Sequence, residues 1–244
     1  MYRTLDRIRQ WIRYPQTTRQ QQQLLGLTTH YPDLEFTARR MAAEETVSYI
    51  MQHMRQTPNY ATDWDLHEAI PSMLPLWRPG QLHLEFGVAT GRTINHFARR
   101  LPREQIHGFD SFVGLPESWH YLMPRGCFHQ TRAPRVRSNV TLHTGLFDDT
   151  LPRFLNARTS LQEHIAFMHI DCDLYSSTRT VLELTRSQLR PGTVILFDEY
   201  FNYPGWHLDE FRAWQEFVAQ SGIRYEYIAR VNSHQQCAVR ILTI

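Results

Sequence analysis

The chain has 244 residues, 42% of them apolar and 20% charged, which is enough for one sizeable core and excludes a disordered or fibrous chain. Twenty-six basic against 24 acidic residues leave a net charge of +2 with no basic cluster, so a nucleic-acid-binding face is not expected. Every basic residue is Arg, and the absence of Lys rules out Schiff-base, pyridoxal-anchoring and P-loop lysine chemistry.

In chain order, residues 1 to 80 come first and read as a helical cap or oligomerisation region, with a homodimer as its natural product. The spacing of FTARRMAAEETVSYIMQHMRQ predicts a helix, and no run in this region reads as a strand. Glutamines 20 to 23 read as a solvated helix or loop, and Trp77-Arg-Pro-Gly80 ends the helical pattern. The opening MYRTLDRIRQWIRYPQ lacks a continuous apolar segment, and no run of about 18 apolar residues occurs anywhere, so neither a secretion signal nor a membrane partner is expected. Cys127, Cys172 and Cys237 are odd in number and widely spaced, which removes a disulfide framework and a Cys-x-x-Cys site. Buried thiols in a soluble, cytoplasmic protein are the expectation.

From residue 81 to 244 the texture changes. The runs LHLEFGV, QIHGFD, NVTLHTG, IAFMHID and TVILFDE predict short strands, and helical spacing follows in GRTINHFARRL, DDTLPRFLNAR, SSTRTVLELTRSQL and LDEFRAWQEFVAQS. Such alternation predicts βαβ units and a parallel sheet. The end, IRYEYIARVNSHQQCAVRILTI, predicts an antiparallel hairpin at a sheet edge. An α/β fold with one ligand-binding domain follows, and in such sheets ligands sit beyond the carboxyl ends of the strands.

The strand ends are therefore the candidate site. In LEFGVATGRT, Gly87 and Gly91 permit a tight turn and close backbone approach, Glu85 offers a carboxylate, and Thr90 and Thr93 belong to the same turn. A dinucleotide fingerprint needs glycine where Ala89 stands, which disfavours a pyrophosphate cradle. Asp110 follows Glu85 at the distance expected of a ribose-binding acid, with Ser111 beside it; capping a helix is its structural alternative. Gly145 and Phe147 suit the border of an adenine ring, whereas Asp148 reads as a helix N-cap. Asp171 and Asp173 end one strand, and Asp198 and Glu199 end the next. Four converging carboxylates require a cation, a shared proton or arginine partners, and oxygen ligands alone favour Mg²⁺ over Zn²⁺.

In this order and spacing, EFGVATGRT, GFDSFVGLPESW, GLFDDTLP, HIDCDLYSSTRTVL and PGTVILFDEY resemble the macrocin/mycinamicin sugar O-methyltransferase family (TylF/MycF) over residues 81 to 244. The resemblance implies a Rossmann-like class I methyltransferase sheet that uses S-adenosylmethionine, with Mg²⁺ held at the fourth and fifth strand ends. It also implies a role in natural-product biosynthesis. On this chain Glu85, Gly87, Asp110 and Ser111 fall on cofactor positions, and Asp171, Asp198 and Glu199 on metal positions. One departure is that the family has two adjacent aspartates where this chain has Asp198-Glu199.

The reaction this implies is in-line methyl transfer to a hydroxyl of a small-molecule acceptor, with proton removal by the enzyme. His207 is the expected base, with a surface residue as its plainer reading, Tyr175 is a second candidate, and Asp171 serves both cofactor and metal. His169 is expected to pack inside. Tyr200, Phe201, Tyr203 and Trp206 are expected to form an aromatic lip for a sugar or a sulfonium. Two rival readings stay open: cyclisation of the cofactor to azetidine-2-carboxylate with release of methylthioadenosine, and a noncatalytic binding protein on the same fold.

Overall fold

A computed structural model describes residues 33–75, 80–120, 123–158 and 163–244. The glutamine run at 20 to 23, the Arg-rich start and residues 77 to 79 lie outside the described residues.

The chain enters through helix α1 (Leu34–His53), which Asp33 caps by accepting from the Phe36 amide at 3.1 Å. A two-residue strand, β1 (Asn59–Tyr60), precedes α2 (Asp63–Met73), whose start is a capping box between Thr62 and Asp65. Then come β2 (Gln81–Phe86), α3 (Arg92–Arg100), β3 (Ile106–Asp110), β4 (Val140–Thr144), α4 (Phe147–Asn156), β5 (His164–Ile170), α5 (Tyr175–Thr185) and β6 (Val194–Phe197). A short 3₁₀ turn, Trp206–Leu208, leads into α6 (Glu210–Ser221) and the hairpin β7 (Arg224–Val231) and β8 (Cys237–Thr243).

All strands join one eight-stranded sheet in the order β1-β7-β8-β6-β5-β2-β3-β4. The five strands from β4 to β6 are parallel, and β8 is antiparallel to both β6 and β7. The alternating pattern predicts this parallel sheet with its antiparallel hairpin, and its arrangement is the class I methyltransferase sheet that the family resemblance implies. Strand β1 is the exception: it pairs parallel with β7 at the edge, where no strand was expected, because two residues are too few to show any periodicity.

The central strands are apolar throughout because helices cover both faces. Phe86, Met168, Ile170 and Phe197 pack with Leu151, Val181 and Trp214 from α4, α5 and α6, while Phe167 and Leu196 pack with Ile70 and Phe97 from α2 and α3. The region before residue 80 contributes to both layers, α1 and its C-cap through Ala42 and Met54 and α2 through Leu66 and Ile70. Among the described residues, no helix is long and apolar enough to cross a membrane.

Candidate active site

From β2 the chain runs outward through β3 to β4, then returns to the other side of β2 as β5 and continues to β6. The reversal between β2 and β5 is the switch point at which open α/β sheets bind ligands. A cavity of about 290 Å³ opens there. Of the expected cofactor contacts, Gly87, Asp110, Ser111, Gly145, Phe147 and Asp171 line it.

The turn after β2 has a strict geometry. Gly87 has φ +89°, and a Cβ there would lie 1.7 Å from the Asp171 carbonyl oxygen, so only glycine lets β2 and β5 close together. Asp110 organises the same turn. Its Oδ2 accepts the Val88 and Ala89 amides at 2.9 and 2.7 Å, and its Oδ1 accepts the Phe112 amide at 2.7 Å. Three amides leave capacity on the carboxylate for one further donor, since it has about four lone-pair sites. No helix begins here, so Asp110 is not a helix cap. Ala89, Phe112, Phe128 and Asp173, all at or beside the cavity, have positive φ without being glycine. Such strain concentrates where surrounding structure holds a loop in a functional shape.

The other expected cofactor residues frame the turn and do not line the cavity. Gly91 starts α3 in the left-handed region, and Thr90 is exposed. Thr93 Oγ1 donates to Glu85 Oε1 at 2.8 Å, and His169 Nδ1 lies 3.2 Å from Glu85 Oε2. Both Glu85 oxygens are thus used internally, and the residue is only 1% exposed. Asp148 does not cap α4; Leu146 holds that position and Asp148 sits in the first turn, on the cavity wall.

The four acidic residues at the ends of β5 and β6 divide into two groups. Carboxylate oxygens of Asp171, Asp173 and Glu199 gather within 4.8 Å of one another, while Asp198 turns to the opposite side and joins His67 and His169. Both residues lie in the bend just past β6, and there Asp198 and Glu199 separate where the pattern placed them together. Burial first, and then the Asp198, Asp173, Asp171 and Glu210 charges, push the Glu199 carboxyl up. Glu210 is also raised by burial and by Asp173, and its Oε2 accepts the Glu199 amide at 3.1 Å. Glu199 Oε2 is buried without a hydrogen-bond partner. The oxygen-only donor set and this orphaned oxygen fit a hard divalent cation of the Mg²⁺ kind.

His207 is exposed on the 3₁₀ turn and does not line the cavity. Tyr175 points elsewhere too: its hydroxyl donates to Glu216 on α6 at 2.6 Å, and Arg212 stacks over its ring at 4.6 Å. Ser176 and Ser177, the next residues of α5, face the cavity instead. The expected aromatic lip is core, with Tyr200, Phe201, Tyr203 and Trp206 no more than 7% exposed. Helix α1 covers them: Thr46 Oγ1 accepts the Asn202 amide at 3.0 Å, and the Tyr49 hydroxyl lies 2.6 Å from that of Tyr227.

Sequence reasoning also missed the loop between β3 and β4, whose Gly114, Leu115, Glu117 and Phe128 close one side of the cavity. Its local signal was Gly114 within GFDSFVGLPESW, where φ is +87° and a Cβ would strike the Gly126 and Cys127 carbonyls. The loop is tied down by Trp119 Nε1 donating to Asp209 at 2.8 Å and by a Ser176 to Glu117 hydrogen bond.

Residues 84–200 match the family model described as a methyltransferase domain. No curated protein sequence matches the chain. The fold is shared with CalS11, a calicheamicin methyltransferase, which is 22% identical over 88% of this chain and 96% of that one, with a TM-score of 0.58. It is shared with the apo form of CalS11, a TDP-rhamnose 3'-O-methyltransferase of calicheamicin biosynthesis, at 24% identity over 87% and 96% of the two chains and a TM-score of 0.53. The O-methyltransferase NovP is 21% identical over 73% of this chain and 76% of its own, with a TM-score of 0.51. The segment that builds the switch-point turn thus matches a methyltransferase domain, on a fold shared with solved O-methyltransferases.

Proposed function

We propose that this enzyme methylates a hydroxyl group of a small-molecule acceptor, with Mg²⁺ held by Asp171, Asp173 and Glu199. The observation that carries the reading is the junction of two features: Asp171 and Asp173 line the cavity, and both belong to the three-carboxylate cluster. When bound, Mg²⁺ supplies a positive charge that lowers the pKa of an acceptor hydroxyl and orients its oxygen.

The chain's own residues do the rest. Gly87 lets the cofactor meet backbone, the remaining capacity of Asp110 suits ribose hydroxyls, and Phe147 offers a ring edge to adenine. Asp171 and Asp173, which line the cavity, are the proposed proton acceptors in place of His207 and Tyr175. Burial, then the neighbouring carboxylates, raises Glu199 and Glu210 and favours their protonated forms, and a bound cation would take the place of those protons. The acceptor class proposed is a sugar or related natural product, in keeping with the TylF/MycF-like motifs and with CalS11, a TDP-rhamnose 3'-O-methyltransferase. The region before residue 80 is proposed as a cap over the catalytic layers and as the surface of a homodimer.

The test is calorimetric titration of the purified chain with S-adenosylmethionine, with and without Mg²⁺, followed by mass spectrometry with candidate nucleotide sugars. Cofactor binding, and S-adenosylhomocysteine formed only with an acceptor and Mg²⁺, is the expected result. Asp110→Ala should weaken cofactor binding at least about tenfold, the worth of one hydrogen bond to a charged group. Methylthioadenosine formed without acceptor would replace methyl transfer by cofactor cyclisation, and no binding at all would leave a noncatalytic protein.

A further inference from the structure

On the face of the sheet opposite the carboxylate cluster, three buried side chains from three elements converge. His67 lies on α2, His169 on β5, and Asp198 just past the end of β6, at 2%, 0% and 4% exposure. Asp198 Oδ1 is 3.7 Å from His169 Nε2 and 3.9 Å from His67 Nε2. One donor atom from each lies within 4.8 Å of the others. We propose that His67, His169 and Asp198 form a second metal site, for a divalent transition cation of the Zn²⁺ type, which pins α2 to the sheet beneath the cofactor turn.

The spacing is the first argument. At 3.7 and 3.9 Å the contacts are too long for hydrogen bonds, whose usual range ends near 3.2 Å. Two donors on one tetrahedral ion, each about 2.0–2.1 Å from it, stand roughly 3.4 Å apart. A small closure around an ion brings the observed distances into that range.

The second argument is the orientation of His169. Glu85 lies 3.2 Å from its Nδ1, which turns Nε2 toward Asp198. Nε2 is buried without a hydrogen-bond partner, so a proton or a metal ion must stand between it and the carboxylate. A carboxylate on the remote nitrogen of a histidine is also the arrangement that orients metal-bound imidazoles.

Charge balance is the third. Glu85 and Asp198 bring two negative charges into a dry layer, where unbalanced charge is costly. A proton on His169 leaves one negative charge; a divalent ion leaves none. Mixed nitrogen and oxygen donors suit a transition ion, whereas the carboxylate cluster on the other face suits Mg²⁺, so the two sites sort their metals by donor type.

The test uses the purified full chain, stripped with a strong chelator and titrated with Co²⁺ while its visible spectrum is followed. One equivalent of Co²⁺ should give intense tetrahedral ligand-field bands, displaced by Zn²⁺ but not by excess Mg²⁺. His67→Gln and Asp198→Asn should remove the bands, Glu85→Gln should weaken Co²⁺ binding by about 10–100-fold, and Asp171→Asn should keep them. Absence of the bands in the unmodified chain, their displacement by Mg²⁺, or their survival in a folded His67→Gln chain each overturns the site. If His67→Gln does not fold, the unmodified spectrum and the Mg²⁺ competition still decide.

Discussion

Asp198 and Glu199 are neighbours in the chain, yet their carboxylates serve opposite faces of the sheet: Asp198 stands 3.7 Å from His169, and Glu199 joins Asp171 and Asp173. The bend just past β6 divides a run that looks like one acidic cluster into two groups of different donor type.

Removing one carboxylate at a time separates the two groups. Asp173→Asn and Glu199→Gln should each weaken Mg²⁺ binding by roughly tenfold or more, since a charge-assisted contact contributes about 1.5–3 kcal/mol. Asp198→Asn should leave Mg²⁺ affinity unchanged. Calorimetric titration of Mg²⁺ into the cofactor-loaded protein measures both, and a large loss in Asp198→Asn would instead put that residue on the Mg²⁺.

Gly87→Ala should destabilise the fold by at least about 1–3 kcal/mol, the usual size of backbone strain at a positive φ. The added methyl would also press on the Asp171 carbonyl, 1.7 Å from the ideal Cβ. A urea unfolding midpoint equal to that of the unmodified chain would show that β2 and β5 do not approach so closely.

Three tyrosine hydroxyls surround that of Tyr227: Tyr49 at 2.6 Å, Tyr200 at 2.7 Å and Tyr225 at 2.9 Å. Tyr227→Phe therefore removes the centre of a half-buried network and should cost about 1–3 kcal/mol. Because Tyr49 is on α1, proteolysis of α1 should also quicken. Unaltered urea unfolding and proteolysis would mean that α1 is held by apolar contacts alone.

Stability should fall in acid through two buried histidines. Burial lowers His83 from 6.5 to about 4, and burial followed by the Arg158 charge lowers His107 from 6.5 to about 3. A depressed folded-state pKa means that the unfolded chain binds the proton first. The contribution is complete above pH 6.5 and is lost as pH falls to about 4 for His83 and about 3 for His107. His83→Leu should flatten the upper part of that fall in a series of urea melts, and an unchanged slope would show that His83 titrates normally.

Much of this was legible along the chain. The apolar runs that became β2 to β8, the helical spacing between them, Gly87 in its turn and the acids closing β3 and β5 are local signals, and periodicity alone orders them. Tertiary structure decided the rest, because direction and burial are properties of neighbours. Tyr200, Phe201, Tyr203 and Trp206 looked exposed beside a Pro-Gly turn until α1 and α6 covered them. Tyr175 looked free until Glu216 took its hydroxyl. Glu85 was legible as an acid at a strand end, but only packing turned it from the ligand to Thr93 and His169. His67 carried no local signal at all, since its partners lie 102 and 131 positions away in the chain, at His169 and Asp198. A one-dimensional pattern specifies which residues reach the strand ends; which way each side chain then faces is set by the layers that close over them.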